Sequence, residues 1–437
     1  MLRQYYPQGR TASEVATDVE AAVRDGRLTS GDALPPVRAL AAELGLSPVT
    51  VAAAYRQLRD IGIARGQGRA GTRITWAPPI GPRLQYVVPA GARNLVAGSP
   101  DPALLPELPP LTAVARRGRL YGDPPVAPRL GRLAAGQFAA DGIDPAQLAV
   151  VSGALDAVER VLGAWLRRGD RVAVEDPGYP PVLDLLAAMD LVCVPMAIDE
   201  LGVIPDALAG ALAGGCQAVL FTPRAQSPTG AAWDQARAAE LAAVLTRHPG
   251  LGVIEDDHAG PIAGVSARSV ATGLQRWAVI RSVSKSLGPD LRLAVLAGDP
   301  VTVARVEGRQ ALGTGWVSYL LQETVAELWQ DQRTRDLLAR AAATYAERRE
   351  SLIGALEARG IKAVGRSGLA VWLPVADEPG ITSALLDRGW AVAPGERFRI
   401  AAPPAIRIAT STLARQESEA LAADLQAIQQ RQPRRAE

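Results

Sequence analysis

The chain has 437 residues, a mass of 45.8 kDa and a formal net charge of +2, a length that allows two or three domains and a near-neutral balance. No run of 18 apolar residues lacks charges or turn formers, and the start MLRQYYPQGR has no apolar core, so neither a membrane span nor a signal peptide is expected. The two cysteines, Cys193 and Cys216, have no metal or redox spacing and read as buried small apolar residues; a soluble cytoplasmic protein with no metal site and no membrane partner is the simplest expectation.

The first elements in chain order are helical. Residues 11–26, TASEVATDVEAAVRDG, carry a capping box in Thr11 and Glu14, an apolar stripe in Val15, Val19 and Val23, and a stop at Gly26. Val37, Leu40, Ala41 and Leu44 predict a short helix closed by Gly45. Ser47 is an N-cap with Pro48 at the first helical position, and Val51, Tyr55 and Leu58 form the inner face of the helix that follows. Two short helices joined by a tight glycine turn make a helix-turn-helix, and RGQGRAGTRI reads as a hairpin wing. Residues 1–78 hold ten Arg against seven acidic residues. A modest basic excess of this kind suits a nucleic-acid partner. LPPVRALAAELGLSPVTVAAAYRQL and the glycine-arginine wing closely resemble the GntR-type winged helix of bacterial regulators. The resemblance implies that Arg38, Ser47 and Thr50 face double-stranded operator DNA, with Arg69 in the wing near the minor groove.

WAPPIGPRLQYVVPAGARN, residues 76–94, has four prolines and no helical period, and is read as a linker between a domain at 1–75 and a second at 95–437. In the second domain LAVVSG, RVAVEDPGY, AVLFTP, LGVIEDD, WAVIRSVS and RLAVLAGD are strand candidates, with helical stretches such as 154–168 and 234–247 between several of them. That alternation predicts an α/β domain with a largely parallel sheet, whose ligands bind at the carboxyl ends of strands.

Of the 47 basic residues only Lys285 and Lys362 are lysines. Arginine imitates a surface lysine well, but only a primary amine forms a Schiff base, so Lys285 in SVSKSLGPDLRLA is a candidate covalent residue. A pyridoxal phosphate site needs more than the amine. Its ring nitrogen needs a carboxylate, which Asp256 offers; its phosphate needs a helix N-terminus, which Gly153, Ala154 and Leu155 offer, with Ser282, Ser284 and Arg292 close to Lys285 in sequence; its ring needs an aromatic partner, which Tyr179 offers. Arg224 can either face such a pocket or serve a structural ion pair.

EDPGYP, TPRAQSPTG, EDDHAG and SVSKSLGPDLRLA, in this order, resemble the fold-type I aminotransferases, and the winged helix in front narrows the likeness to the MocR/GabR group of regulators. The resemblance implies pyridoxal 5'-phosphate bonded to Lys285, with Asp256 on its ring nitrogen and Tyr179 stacked on the ring. It implies a homodimer in which Tyr121 of YGDPPVAP reaches the phosphate site of the partner subunit. It also implies that Arg407 in PPAIRIAT clamps a carboxylate beside Gly98 in VAGSPDPALLP. Two positions depart from the family pattern: Ser227 stands for an asparagine and His258 for a tyrosine, both of which bond the cofactor's phenolic oxygen. Ser and His can donate to that oxygen, but they change its protonation balance. The expected function is a pyridoxal-phosphate-binding transcriptional regulator that responds to a small amine, an amino acid or the cofactor itself; an active aminotransferase with an accessory DNA-binding domain is the alternative.

Overall fold

The computed structural model describes residues 7–25, 27–29, 31–60, 63–66, 71–74, 88–110, 120–144, 147–271 and 273–431. Contacts divide the chain into two compact units, Met1–Gln85 and Tyr86–Glu437.

In the first unit the helices are α1 (Ala12–Arg24), α2 (Val37–Leu44) and α3 (Pro48–Asp60), followed by the antiparallel pair β1 (Ala64–Gly66) and β2 (Thr72–Ile74). The Thr11 hydroxyl accepts the Glu14 N–H at 3.2 Å, as the capping pattern predicts. Gly45 takes the left-handed conformation at φ 65° that ends α2. Val15, Val19 and Val23 bury against Val51, Tyr55 and Leu58 in one core. Tyr55 donates its hydroxyl to the Pro35 carbonyl at 2.7 Å, which fixes the entry to α2. Gly26 and Arg69 lie outside the described residues.

The second unit begins with β3 (Arg93–Leu95), so two residues of the segment read as linker belong to a strand. It continues through α4 (Pro128–Ala140), β4 (Leu148–Val151), α5 (Ala154–Trp165), β5 (Arg171–Asp176), α6 (Pro180–Ala188), β6 (Val192–Asp199), β7 (Gly202–Val203), α7 (Pro205–Ala213), β8 (Ala218–Phe221), α8 (Gln235–Leu245), β9 (Gly252–Asp257), β10 (Trp277–Ser282) and β11 (Ala294–Gly298). Then come α9 (Pro300–Ala311), α10 (Tyr319–Gln330), α11 (Gln332–Glu357), β12 (Ala370–Pro374), α12 (Glu378–Leu386), β13 (Trp390–Pro394), β14 (Ala405–Ala409) and α13 (Arg415–Arg431).

The main sheet has eight strands in the order β4-β11-β10-β9-β8-β5-β6-β7. The run from β10 to β6 is parallel, while β11 is antiparallel to both neighbours and β7 to β6. Every residue of β9 and β10 is buried, because helices cover both faces. That is why these strands read as near-continuous apolar runs. A smaller sheet, β12-β14-β13-β3, closes the unit. Its strand β3 pairs with β13, almost 300 residues later in the chain. Among the described residues no single helix is long and apolar enough to cross a membrane, and no cluster of His, Cys, Asp or Glu could hold a metal ion. Cys193 and Cys216 are half-buried rather than buried as expected; Cys216 donates its thiol to the Ala211 carbonyl.

Candidate functional site

Because β5, β8, β9 and β10 run parallel, their carboxyl ends share one edge. That edge carries the polar stretches 175–179, 222–229, 255–258 and 282–285. A pocket opens there, lined by Glu175, Tyr179, Thr222, Ser227, Asp256 and His258 among others.

Strand alternation decides the roles of three adjacent acids at the end of β9. Glu255 turns away and accepts from the Ser269 hydroxyl and the Val270 N–H. Asp257 also turns away, into a bidentate pair with Arg224 at 2.8 and 2.7 Å, with Arg281 beside it at 3.3 Å. Burial pushes the Asp257 carboxyl up, but the two guanidinium groups outweigh it and hold it below the ordinary carboxylate range. Arg224 is therefore a structural partner and does not line the pocket. Arg281 joins Asp257 to Asp141 at the end of α4. Asp256 is left facing the pocket with His258. Its Oδ1 is buried and has no hydrogen-bond partner among the described residues. Burial, then the charges of Asp257 and Glu175, raise its pKa to about 7. His258 is pushed down to about 4 by burial and by the Lys285 cation, so its ring is neutral near pH 7.

Two groups on this edge were not singled out from the sequence. Glu175 is buried and accepts from the Thr222 N–H at 2.9 Å and from Gln226 at 3.1 Å. Burial raises its pKa to about 7. Gln226 also donates to the Pro177 carbonyl at 2.8 Å, so one amide ties the loop of Tyr179 to the loop of Ser227. Their signal is present in the sequence: both lie inside the strand-end motifs, Gln226 one position from Ser227 and Glu175 four positions from Tyr179.

A second cluster forms where β4 meets α5. Gly153, at φ 102°, is the N-cap of α5 and makes no side-chain cap, so the amides of Ala154 and Leu155 begin the helix. The Arg292 guanidinium lies against Gly153 and donates to the Ser152 carbonyl at 3.3 Å; a Cβ on residue 153 would come within 2.9 Å of it. Among the described residues no carboxylate pairs with Arg292. Ser282 and Ser284 lie at the end of β10, the Ser284 N–H donating to the Ser282 hydroxyl at 3.2 Å.

Lys285 donates its ammonium to the Gly98 carbonyl, and Arg407 donates to the Val96 carbonyl at 3.0 Å. A Cβ on residue 98 would stand 2.3 Å from the Arg407 guanidinium, so any larger residue there would have to displace the guanidinium. Burial and the nearby Arg407 lower the Lys285 pKa to about 8; burial lowers that of Arg407 to about 10. Arg407 Nε has no partner, and no carboxylate reaches the guanidinium among the described residues. Tyr179, at the start of α6, lines the pocket and is 42 % exposed. Tyr121 is not brought to this pocket; it is 93 % exposed and packs edge-on against Trp316.

Residues 102–425 match the family described as aminotransferase class I and II, and residues 11–74 match the gntR family of bacterial regulatory proteins. The chain is a GntR-family regulator of the MocR type. It is 40 % identical to the vitamin B6 salvage pathway transcriptional repressor PtsJ of Salmonella typhimurium, over 95 % of this chain and 98 % of that one. It is 27 % identical to the HTH-type regulator TauR of Rhodobacter capsulatus, over 90 % of each chain. Among solved structures, the α-aminoadipate aminotransferase LysN of Thermus thermophilus superposes with a TM-score of 0.69 at 21 % identity, covering 80 % of this chain and 95 % of that one. The Pyrococcus horikoshii kynurenine aminotransferase gives 0.71 at 19 %, covering 79 % and 92 %. These two likenesses establish the fold.

The residues of this MocR-type regulator fit pyridoxal 5'-phosphate. The unpartnered Asp256 oxygen suits a protonated ring nitrogen, which would satisfy it and draw its pKa back down. The bare N-terminus of α5, with a glycine that leaves room and an arginine beside it, suits a phosphate. Lys285, with its lowered pKa, reaches the neutral amine form needed for covalent attachment at lower pH than an ordinary lysine.

Proposed function

We propose that this MocR-type regulator acts in the cytoplasm as a homodimer, binding operator DNA through its winged helix and pyridoxal 5'-phosphate through Lys285, and that occupancy by the cofactor sets its affinity for the operator. Asp256 carries the reading. A buried carboxylate with an unpartnered oxygen is costly, and a cationic ring nitrogen relieves that cost. When bound, the cofactor supplies an aldehyde that condenses with primary amines and a ring that withdraws electrons. Asp256 holds the proton at the ring nitrogen, Tyr179 covers the ring, and neutral His258 and Ser227 bond the phenolic oxygen. The α5 N-terminus, Ser282, Ser284 and Arg292 hold the phosphate. Tyr121, exposed on its own subunit, suits a residue that serves the neighbouring copy. In the first unit Arg38 is exposed and meets the DNA backbone, while Ser47 and Thr50 shape the start of the recognition helix. The relative named for repression of vitamin B6 salvage supports the cofactor itself as the signal.

One observation favours a second reading, in which an amino acid is the effector. Arg407 is buried, lacks a carboxylate partner and lies beside Lys285, as a clamp for an amine that also bears a carboxylate would.

The test uses the full-length chain freed of cofactor and a duplex selected by the protein from random sequence. Pyridoxal 5'-phosphate is titrated while duplex affinity and visible absorbance are followed together. The first reading expects affinity to change along with the absorbance band. A change that also needs an amino acid, and is lost in Arg407→Ala, supports the second. Sustained turnover of amino donors with 2-oxo acids, with no effect on DNA binding, would favour an aminotransferase instead.

A further inference from the structure

The first turn of α3 presents an aliphatic surface. Ser47 and Thr50, the polar residues there, are engaged with each other: their hydroxyls lie 2.8 Å apart, and the Ser47 hydroxyl accepts the Thr50 N–H at 3.0 Å. They cap the helix. The side chain that stands out at this turn is Val49, 78 % exposed. Helical spacing from Val49 leads to Ala52, Ala53 and Arg56, none of them buried, while Val51, Ala54, Tyr55 and Leu58 are wholly buried on the other side. The outward stripe is therefore Val, Ala, Ala and then Arg.

A stripe of aliphatic groups cannot read the donors and acceptors of base edges. What it matches in the major groove is the C5-methyl group of thymine. Arg38, Arg56 and Arg59 are exposed nearby in sequence and supply positive charge for the phosphates. We propose that Val49, flanked by Ala52 and Ala53, reads thymine methyl groups, so that operator preference rests on methyl contact at this turn and not on the Thr50 hydroxyl. The proposal rests on the DNA-binding reading above.

The experiment starts from the duplex selected by the full-length protein. Each thymidine is replaced singly by deoxyuridine, which removes only the methyl group. At one or more positions per half-site affinity should fall about fourfold, the size of one buried methyl group. Val49→Ser should weaken binding to the thymidine duplex by a similar factor and be indifferent to the deoxyuridine change at that position. Its salt dependence should match the parent's, since no phosphate contact is lost. Deoxyuridine at every position without loss would overturn the proposal, as would a Val49→Ser defect equal on both duplexes. Failure to select any duplex would overturn the DNA-binding reading itself.

Discussion

Asp256→Asn should act in opposite directions on the empty and the loaded protein. In the empty site the carboxylate is buried without a partner for Oδ1, and its pKa is raised from 3.8 to about 7. A raised pKa means the ionised form destabilises the fold, by roughly 4 kcal/mol at pH 8. The penalty is absent well below pH 3.8 and grows as pH rises to about 7. Asparagine removes the charge but leaves a buried amide, worth about 1–3 kcal/mol against it. The net gain is about 1–3 kcal/mol, which for a unit of about 350 residues raises the melting midpoint by roughly 1–4 °C. Cofactor affinity should fall roughly ten- to hundredfold, since a charge-assisted hydrogen bond is lost. Calorimetry of cofactor-free protein at pH 5 and pH 8 reads the first effect, which should be larger at pH 8. An absorbance titration reads the second. A variant that melts lower at pH 8 and binds the cofactor as the parent does would refute the assignment, because Asp256 would then be a structural carboxylate.

Lys285→Ala should abolish the visible absorbance of cofactor-loaded protein while the cofactor-free form binds the selected duplex unchanged; Lys362→Ala should keep the band, and a band retained in Lys285→Ala would place the covalent bond elsewhere. Only the neutral amine attacks an aldehyde, so stopped-flow association of pyridoxal 5'-phosphate should accelerate with pH and level off above about 8, the Lys285 pKa. Arg407→Ala removes a neighbouring cation, so it should move that midpoint upward; an unmoved midpoint would separate the two side chains. Gly153→Ala meets both a positive φ of 102° and the Arg292 guanidinium. It should weaken binding of pyridoxal 5'-phosphate severalfold and leave pyridoxal, which lacks the phosphate, little changed in an equilibrium titration.

Much of the site was legible because it is written in local stretches. Each strand end carries its polar residues within four or five positions, and β9 alternation separates Asp256 from Asp257 without further information. What was not legible depends on distant pairings. Arg224 could serve the pocket or an ion pair, and only the approach of β8 to β9 sends it to Asp257. The linker was read two residues too long because β3 is three residues long and its partner β13 is remote in sequence. The cysteines escaped because Cys193 lies in β6 where three successive residues are all half-buried, and Cys216 lies just past the end of α7, so neither position carries a periodic trace. In the first unit the inner face of α3 was plain from spacing, but the mutual engagement of the Ser47 and Thr50 hydroxyls was not, since either residue type could equally turn outward.

The carbonyl groups of Val96 and Gly98 hold Arg407 and Lys285, two cations that no carboxylate neutralises among the described residues. A carbonyl is a weak counter-charge, so these two cations keep an attraction for anionic groups. The same two bonds fasten the stretch that follows β3, by which the chain enters the second unit. If Lys285 engages the cofactor as proposed, its ammonium would leave Gly98, and the filled form would lack that one bond while Arg407 still donates to Val96. Reciprocity follows from thermodynamics: tension applied to β3 from its amino-terminal side must alter ligand affinity by the factor with which ligand alters that tension's effect. On that proposal, loading the site and easing the seam beside it would be one event, read from two ends of the same hydrogen bond.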